Sequence, residues 1–338
     1  MKLTCGIIGF PNIGKSTLFN IISNSEVLSK NYPFCTIEPN YGMTNVIDKR
    51  LFELNNLIQS IKVVPSKIKI VDIAGLIRGS HKGEGLGNKF LSHIRETNVI
   101  IHMIRSFKDI KVVHTEGSIN PIRDKEIIDM ELQLKDLETI EKKLRKIEKI
   151  NHDQSCRKIL LNVVSFLKKG KNIRTYPFKD NEKKYINNLQ LLTMKPVLYV
   201  CNYDKEEYSN IKDLKKIVSQ EKSPLIVLSL NKKRKDLTYE VYNIIQESFN
   251  LLTLQSFFTI GKQEIRSWSI PKDWTVYQAS SIIHTDFKKG FVCAEVIHYK
   301  DFIKYGSEEK VKKAGKKFLA GKNYLVQDGD ILNFRFNK

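Results

Sequence analysis

The chain has 338 residues, which is enough for two or three domains of ordinary size. Hydrophobic residues make up 41% of it and charged residues 28%, as in a soluble globular protein. No apolar run approaches the roughly 20 residues that a membrane-spanning helix needs, so we expect no membrane contact. Lysine and arginine outnumber aspartate and glutamate by 57 to 37, a net charge of +20. This charge favours a polyanionic partner, most simply RNA, although a coding bias towards Lys, Asn and Ile would also produce it.

The spacing of the cysteines and histidines indicates neither disulfide bonds nor a metal site. The five cysteines never stand as C-x-x-C, and the seven histidines lack zinc-type spacing. We therefore expect a reducing, cytoplasmic location without disulfides or zinc. The first residues pass directly into a strand-like run, which predicts that there is no signal or transit peptide.

Short apolar runs rich in Ile and Val predict buried strands at residues 3–10, 67–73, 99–107, 196–201 and 224–230. Glycine or charged residues bound these runs, and helical stretches lie between them. The alternation predicts an α/β fold in which helices cover a mostly parallel sheet.

This alternation is interrupted between residues 124 and 195. Met130, Leu137 and Leu144 recur at heptad spacing with Glu and Lys between them, which predicts a long amphipathic helix. A second helix near residues 156–169 would fold back on it, so we expect an inserted α-helical hairpin. The sequence leaves open whether the hairpin is an ordinary packed pair or a binding arm.

Strand-like segments return after about residue 251, at 267–270, 291–298 and 331–336. Turns that contain glycine separate them. This region predicts a small, strand-rich domain at 251–338.

Residues 9–16 read G-x-x-x-x-G-K-S between a predicted strand and a predicted helix, the setting of a P-loop. The glycines let backbone N–H groups face a phosphate, and the helix that begins near Gly14 adds its positive dipole end. Lys15 would contact the β- and γ-phosphates, and the Ser16 hydroxyl would coordinate Mg²⁺. We infer a Mg²⁺-dependent nucleotide-binding site.

Other polar positions extend this site. Asp72 ends a predicted strand and begins D-x-x-G, which suits a carboxylate that contacts Mg²⁺ through an intervening ligand. The backbone N–H of Gly75, the last residue of the motif, could sense the γ-phosphate. Thr36 is a candidate for a second Mg²⁺ hydroxyl, unless it is a plain surface threonine. Asn12 could bind K⁺ beside the phosphates or only brace the turn.

The base-recognition residues differ from those of GTPases. Leu76 follows D-x-x-G where many GTPases have a water-orienting Gln, and N-K-x-D is replaced by Asn202-Tyr203-Asp204-Lys205. A carboxylate at the fourth position would accept hydrogen bonds from guanine, whereas Lys205 offers only donors. We therefore expect adenine.

These motifs resemble the YchF/Obg-like ATPase family over nearly the whole chain. Six stretches carry the resemblance: residues 9–16, 31–40, 72–77, 82–91, 284–287 and 326–330. It implies a Ras-like P-loop nucleotide domain at 1–123 and 196–250, the helical hairpin at 124–195, and a carboxy-terminal β-grasp (TGS) domain at 251–338. It also implies ATP hydrolysis in preference to GTP, use of Mg²⁺ and association with ribosomes.

The resemblance also implies roles for individual residues. Phosphates would be held by Asn12, Ile13, Gly14, Lys15, Ser16 and Thr17, Mg²⁺ by Ser16 and Thr36, and adenine by Asn202 and the Tyr203 backbone. His114 stands where the family places the group that positions water; without the resemblance it would be a solvated loop histidine. Lys205 and Ser229-Leu230-Asn231 depart from the family pattern at the base.

We therefore expect a slow ATPase switch, monomeric, that binds ribosomes or other RNA-containing particles through its basic helical and TGS regions. One alternative is a GTP-dependent ribosome-assembly factor. Another is a protein-interaction scaffold in which the nucleotide is structural.

Overall fold

The structure, a computed structural model, describes residues 3–23, 39–75, 78–80, 86–109, 111–150, 154–204, 208–231, 234–284 and 288–337. They form two compact units. The P-loop unit consists of the described residues of 3–44 and 69–248, and the carboxy-terminal unit of those of 45–68 and 249–338. Over the described ranges, every helix is too short or too polar to cross a membrane.

The strands and helices are numbered in chain order. The strands are β1 (Thr4–Ile8), β2 (Asn40–Val46), β3 (Lys62–Val64), β4 (Ser66–Asp72), β5 (Val99–Ser106), β6 (Val197–Tyr203), β7 (Leu225–Leu228), β8 (Leu254–Thr259), β9 (Glu264–Pro271), β10 (Phe291–Ile297), β11 (Lys317–Ala320) and β12 (Ile331–Phe336). The helices are α1 (Lys15–Ser23), α2 (Lys49–Ile58), α3 (Leu86–Arg95), α4 (Pro121–Ile150), α5 (Gln154–Lys168), α6 (Asp180–Asn187), α7 (Tyr208–Gln220), α8 (Thr238–Leu251), α9 (Val276–Ile283), α10 (Tyr299–Tyr305) and α11 (Glu308–Lys313).

The first sheet has the order β2-β4-β1-β5-β6-β7, and β1, β4, β5, β6 and β7 pair in parallel. All eight residues of β5 are buried, as expected for a central strand covered on both faces. The predicted parallel sheet is therefore confirmed. Its carboxyl edge gathers the ends of β1, β4 and β6, which is where such sheets bind ligands.

The predicted helical hairpin is present as α4 and α5. Ile140 on α4 and Leu160, Val163 and Leu167 on α5 are buried in one apolar cluster, against which Leu137 and Leu144 also pack. Met130 belongs to the same heptad stripe but is 42% exposed, so the predicted stripe is wrong at that position. It lies near the start of α4, outside the cluster that the two helices share.

A buried ion cluster joins the start of α4 to the end of α7. Lys125 Nζ donates to Asp129 Oδ2 at 2.6 Å and to Glu221 Oε1 at 2.5 Å, and Arg174 Nη2 donates to Glu221 Oε2 at 2.9 Å. Two cations face two carboxylates, so each buried charge has a partner of opposite sign. The cluster fixes the insertion to the rest of its unit.

The carboxy-terminal unit contains the sheet β11-β10-β12-β8-β9-β3. Helix α9 packs on it, with Val276 and Ala279 buried in one core with Phe257 and Val296. The strands predicted at 291–298 and 331–336 are confirmed as the antiparallel pair β10 and β12.

Residues 45–68 also belong to this unit, whereas the family resemblance assigned them to the nucleotide domain at 1–123. Strand β3 pairs in parallel with β9, and Ser60 Oγ donates to the Gly261 carbonyl at 2.7 Å. Arg50 forms a two-bond contact with Asp328, of 2.9 and 3.1 Å. The motif at 326–330 thus receives an arginine from a segment more than 270 residues away.

Candidate functional site

The P-loop is built by backbone conformations that favour glycine. Gly9 and Gly14 have φ angles of +144° and +99°, which L side chains rarely adopt. A Cβ on Gly9 would also collide with the Met103 carbonyl oxygen. The turn ends at Lys15, where α1 begins, so the helix N-terminus lies at the loop.

Lys15 is desolvated at this loop. Its side chain is buried, and Nζ donates to the Phe10 carbonyl at 2.6 Å. Burial lowers the pKa of the Lys15 ammonium to about 8, and the charge of Asp72 opposes that shift. An anion beside Lys15 would stabilise the ammonium charge that burial disfavours. The position therefore suits a phosphate.

Ser16 and Asp72 form the core of the candidate Mg²⁺ site. The Ser16 hydroxyl donates to Asp72 Oδ2 at 2.6 Å, and Asp72 is the buried last residue of β4. Burial raises the pKa of the Asp72 carboxyl, against the opposing effects of the Ser16 hydrogen bond and the Lys15 charge. A hydroxyl and a carboxylate are the hard oxygen donors that Mg²⁺ prefers, so these residues fit that ion.

Gly75 lies against the P-loop. A Cβ there would come within 2.8 Å of the Pro11 nitrogen, so the position requires glycine. The structure thus brings D-x-x-G to the phosphate loop. Thr36, Leu76 and Lys205 lie outside the described residues, as does most of the stretch 31–40. Among the described residues, no group of three or more His, Cys, Asp or Glu side chains could hold a metal.

Asn202 connects the P-loop to the loop after β7. Its Nδ2 donates to the Ile13 carbonyl at 3.2 Å, and its Oδ1 accepts from the Leu230 N–H at 3.1 Å. The side chain is buried near the end of β6, where Tyr203 follows half-buried. Both ends of the Asn202 amide are therefore engaged by the protein itself.

Asn12 and Thr17 complete the predicted phosphate residues. Asn12 has a positive φ of 59°, and its Nδ2 donates to the Val113 carbonyl at 3.4 Å. This contact braces the loop against the segment that carries His114, and it leaves the amide oxygen as the atom that would bind K⁺. Thr17 lies half-buried in the first turn of α1.

His114 is not a solvated loop histidine, because its side chain is only 6% exposed. The Nε2 atom faces Asp124 Oδ2 at 2.8 Å, and Nδ1 accepts the Glu116 N–H at 3.1 Å. Its ring packs edge-on against Phe10 of the P-loop at 5.9 Å. The structure thus places His114 beside the phosphate loop with both ring nitrogens engaged.

Two residues that shape this region were missed by sequence reasoning. Arg105 at the end of β5 is buried and donates to the carbonyls of Phe107, Asp109 and Val112, so it fixes the segment that leads to His114. Asp124 could have been recognised only as an acidic residue in the first turn of a helix.

Two family models match the chain. Residues 254–337 match YchF-GTPase_C, described as a protein of unknown function, and residues 4–161 match MMR_HSR1, described as a 50S ribosome-binding GTPase. A protein from Buchnera aphidicola (subsp. Schizaphis graminum) named Ribosome-binding ATPase YchF is 42% identical over the full length of both chains. The chain belongs to the YchF family.

Other family members agree. The proteins of the same name from Bacillus subtilis and Escherichia coli O157:H7 are 40% and 37% identical, again over all of both chains. The solved structure of the Schizosaccharomyces pombe YchF GTPase matches 99% of this chain and 98% of its own, with a TM-score of 0.82 and 34% identity. The resemblance seen in the sequence is confirmed, as is a mixed α/β fold with a P-loop domain and a carboxy-terminal domain.

Proposed function

We propose that this chain hydrolyses ATP to ADP and phosphate in a Mg²⁺-dependent reaction and binds ribosomes under control of the nucleotide. The observation that carries the chemistry is the Ser16–Asp72 hydrogen bond beside the buried Lys15. The curated family members at about 40% identity, named ribosome-binding ATPases, support both parts of the proposal.

In this proposal the phosphates lie along residues 12–17. Lys15 places its charge on the β- and γ-phosphates, and the Gly75 N–H reads the γ-phosphate. Ser16 and Thr36 would hold Mg²⁺, and Asp72 would accept a hydrogen bond from the Ser16 hydroxyl. Bound Mg²⁺ supplies charge neutralisation at the γ-phosphate. Asn12 is the candidate K⁺ ligand.

Adenine is the proposed base. Asn202 and the Tyr203 backbone would meet it, and Lys205 stands where a guanine-binding GTPase would have a carboxylate. The main alternative, a GTP-dependent assembly factor, is favoured by the family-model description and by the name of the fission-yeast relative, both of which say GTPase. Comparison of the two nucleotides decides between them.

Exposed basic residues support binding to the polyanionic ribosome. We propose that this binding takes place in the cytoplasm. In the proposed TGS domain, at 251–338, Lys310, Lys312, Lys313 and Lys316 are all exposed. Their positive charges attract phosphate groups, and such binding weakens as salt rises because counterions are released. The helical insertion adds exposed cations on α4, including Lys142 and Lys146.

Ribosome pelleting tests this proposal. We expect retention on ribosomes to change between ATP-analogue, ADP and nucleotide-free states, and to fall steeply with salt. Reversing two charges on α11, by Lys312→Glu and Lys313→Glu, should weaken binding by at least about tenfold. The matched control reverses Lys212 and Lys215 on α7, which are exposed cations of the P-loop unit.

Ribosome binding that changes neither with salt concentration nor with the Lys312→Glu and Lys313→Glu substitutions would contradict an RNA contact. It would favour the scaffold alternative, in which an apolar protein surface makes the contact.

A further inference from the structure

His114 and Asp124 form a hydrogen bond that occupies the histidine nitrogen facing α4. Because Nδ1 accepts the Glu116 N–H, the ring proton lies on Nε2 and is donated to Asp124 Oδ2 at 2.8 Å. With both nitrogens engaged and the side chain 6% exposed, His114 has no atom available for a water molecule in this arrangement.

Asp124 is held in place independently of His114. Its Oδ1 accepts from Arg123 Nη2 at 2.8 Å and from Arg123 Nε at 3.1 Å. Its backbone N–H donates to the Asn120 carbonyl at 2.9 Å in the first turn of α4, where the helix dipole favours a carboxylate. The side chain is 4% exposed. The carboxylate is therefore held in place as an acceptor whether or not His114 donates to it.

The segment that carries His114 contacts the two phosphate-binding motifs. Asn12 of the P-loop donates to the Val113 carbonyl, and Phe10 packs on the histidine ring at 5.9 Å. Arg78, shortly after D-x-x-G, pairs with Glu116 at 3.7 Å. A change in either motif on nucleotide binding would therefore reach the backbone on both sides of His114.

We propose that Asp124 is a positioning residue that holds His114 in reserve, and that this hydrogen bond must break before His114 can orient the attacking water. The strength of the bond then limits the intrinsic rate of hydrolysis. This proposal rests on the proposed ATPase function and on the water-positioning role that the family resemblance implies for His114.

The test compares wild type, Asp124→Asn, His114→Ala and the double variant in single-turnover ATP hydrolysis with Mg²⁺. Asparagine keeps the shape and one acceptor oxygen but removes the charge, and charge-assisted hydrogen bonds are roughly twice as strong as neutral ones. We expect Asp124→Asn to raise the hydrolysis rate constant by about threefold to tenfold, with the Kd for ATP unchanged. The double variant should be as slow as His114→Ala. Asp213→Asn, an exposed carboxylate on α7, is the matched control.

The outcomes separate the two claims. If His114→Ala is slow but Asp124→Asn is no faster than wild type, the holding role is overturned while the role of His114 stands. If His114→Ala hydrolyses ATP at the wild-type rate, the role of His114 fails and this proposal fails with it.

A second measurement needs no variant at Asp124 and covers the case in which Asp124→Asn does not fold. In the full-length protein with ¹⁵N-labelled histidine, the Nε2 proton of His114 should be visible without nucleotide, assigned by its loss in His114→Ala. Addition of Mg²⁺ and a non-hydrolysable ATP analogue should shift or broaden it. An unchanged resonance at nucleotide saturation would overturn the proposal.

Discussion

The Ser16 hydroxyl donates to the Asp72 carboxylate at 2.6 Å, which joins the P-loop to the end of β4. The two residues are 56 positions apart in sequence, and the parallel pairing of β1 with β4 brings them together. Because β1 runs directly into the P-loop, the register of these two strands sets the geometry of the candidate Mg²⁺ site.

Asp72→Asn should weaken the binding of Mg²⁺ that supports ATP hydrolysis. Asparagine can still accept the Ser16 hydrogen bond but loses the negative charge, so we expect the Mg²⁺ concentration for half-maximal hydrolysis to rise by about tenfold or more. Nucleotide affinity without Mg²⁺ should change little. A Mg²⁺ titration of ATPase activity measures this, with Asp213→Asn as control. An unchanged titration midpoint would contradict the assigned role of Asp72.

ATP affinity should fall as pH rises, because burial lowers the pKa of Lys15 to about 8 in the nucleotide-free protein. A bound phosphate favours the ammonium form and raises this pKa, so above about pH 8 binding must take up a proton. We expect about tenfold weaker binding near pH 9 than near pH 7. Calorimetry in buffers of different ionisation enthalpy measures the proton uptake. Lack of uptake across this range would show that Lys15 does not meet the phosphate.

Asn202→Ala should lower both stability and nucleotide affinity. It removes two buried hydrogen bonds, to the Ile13 carbonyl and from the Leu230 N–H, so we expect a loss of about 1–3 kcal/mol in the free energy of unfolding. Urea denaturation and ATP titration measure the two effects. Asn187→Ala, at an exposed position of α6, should change neither. Full stability in Asn202→Ala would mean that the amide does not hold the two loops together.

Arg50 and Asp328 should show a measurable coupling within the carboxy-terminal unit. The pair is bidentate, but Asp328 is 54% exposed, so solvent screening limits the expected coupling to about 1 kcal/mol. A double-mutant cycle with Arg50→Ala and Asp328→Asn, followed by urea denaturation, measures it. Strictly additive effects would mean that the contact contributes nothing to the attachment of residues 45–68.

Local patterns predicted most of the strands, the P-loop and the helical hairpin, because Gly9 to Ser16 and the apolar runs express their structure within a few residues. The strands that were missed are β2, β3, β8 and β11. Long-range features were not predicted. The membership of residues 45–68 in the carboxy-terminal unit depends on contacts such as Ser60 with Gly261, which leave no local signal. The buried state of His114 depends in the same way on Asp124 and on the P-loop.

The most direct test of the proposed preference for ATP is titration calorimetry of the full chain with non-hydrolysable ATP and GTP analogues in the presence of Mg²⁺. We expect at least about tenfold tighter binding of the ATP analogue, because Lys205 replaces the carboxylate that would accept hydrogen bonds from guanine. Tighter binding of the GTP analogue would contradict the proposed preference for ATP and establish the assembly-GTPase alternative in its place.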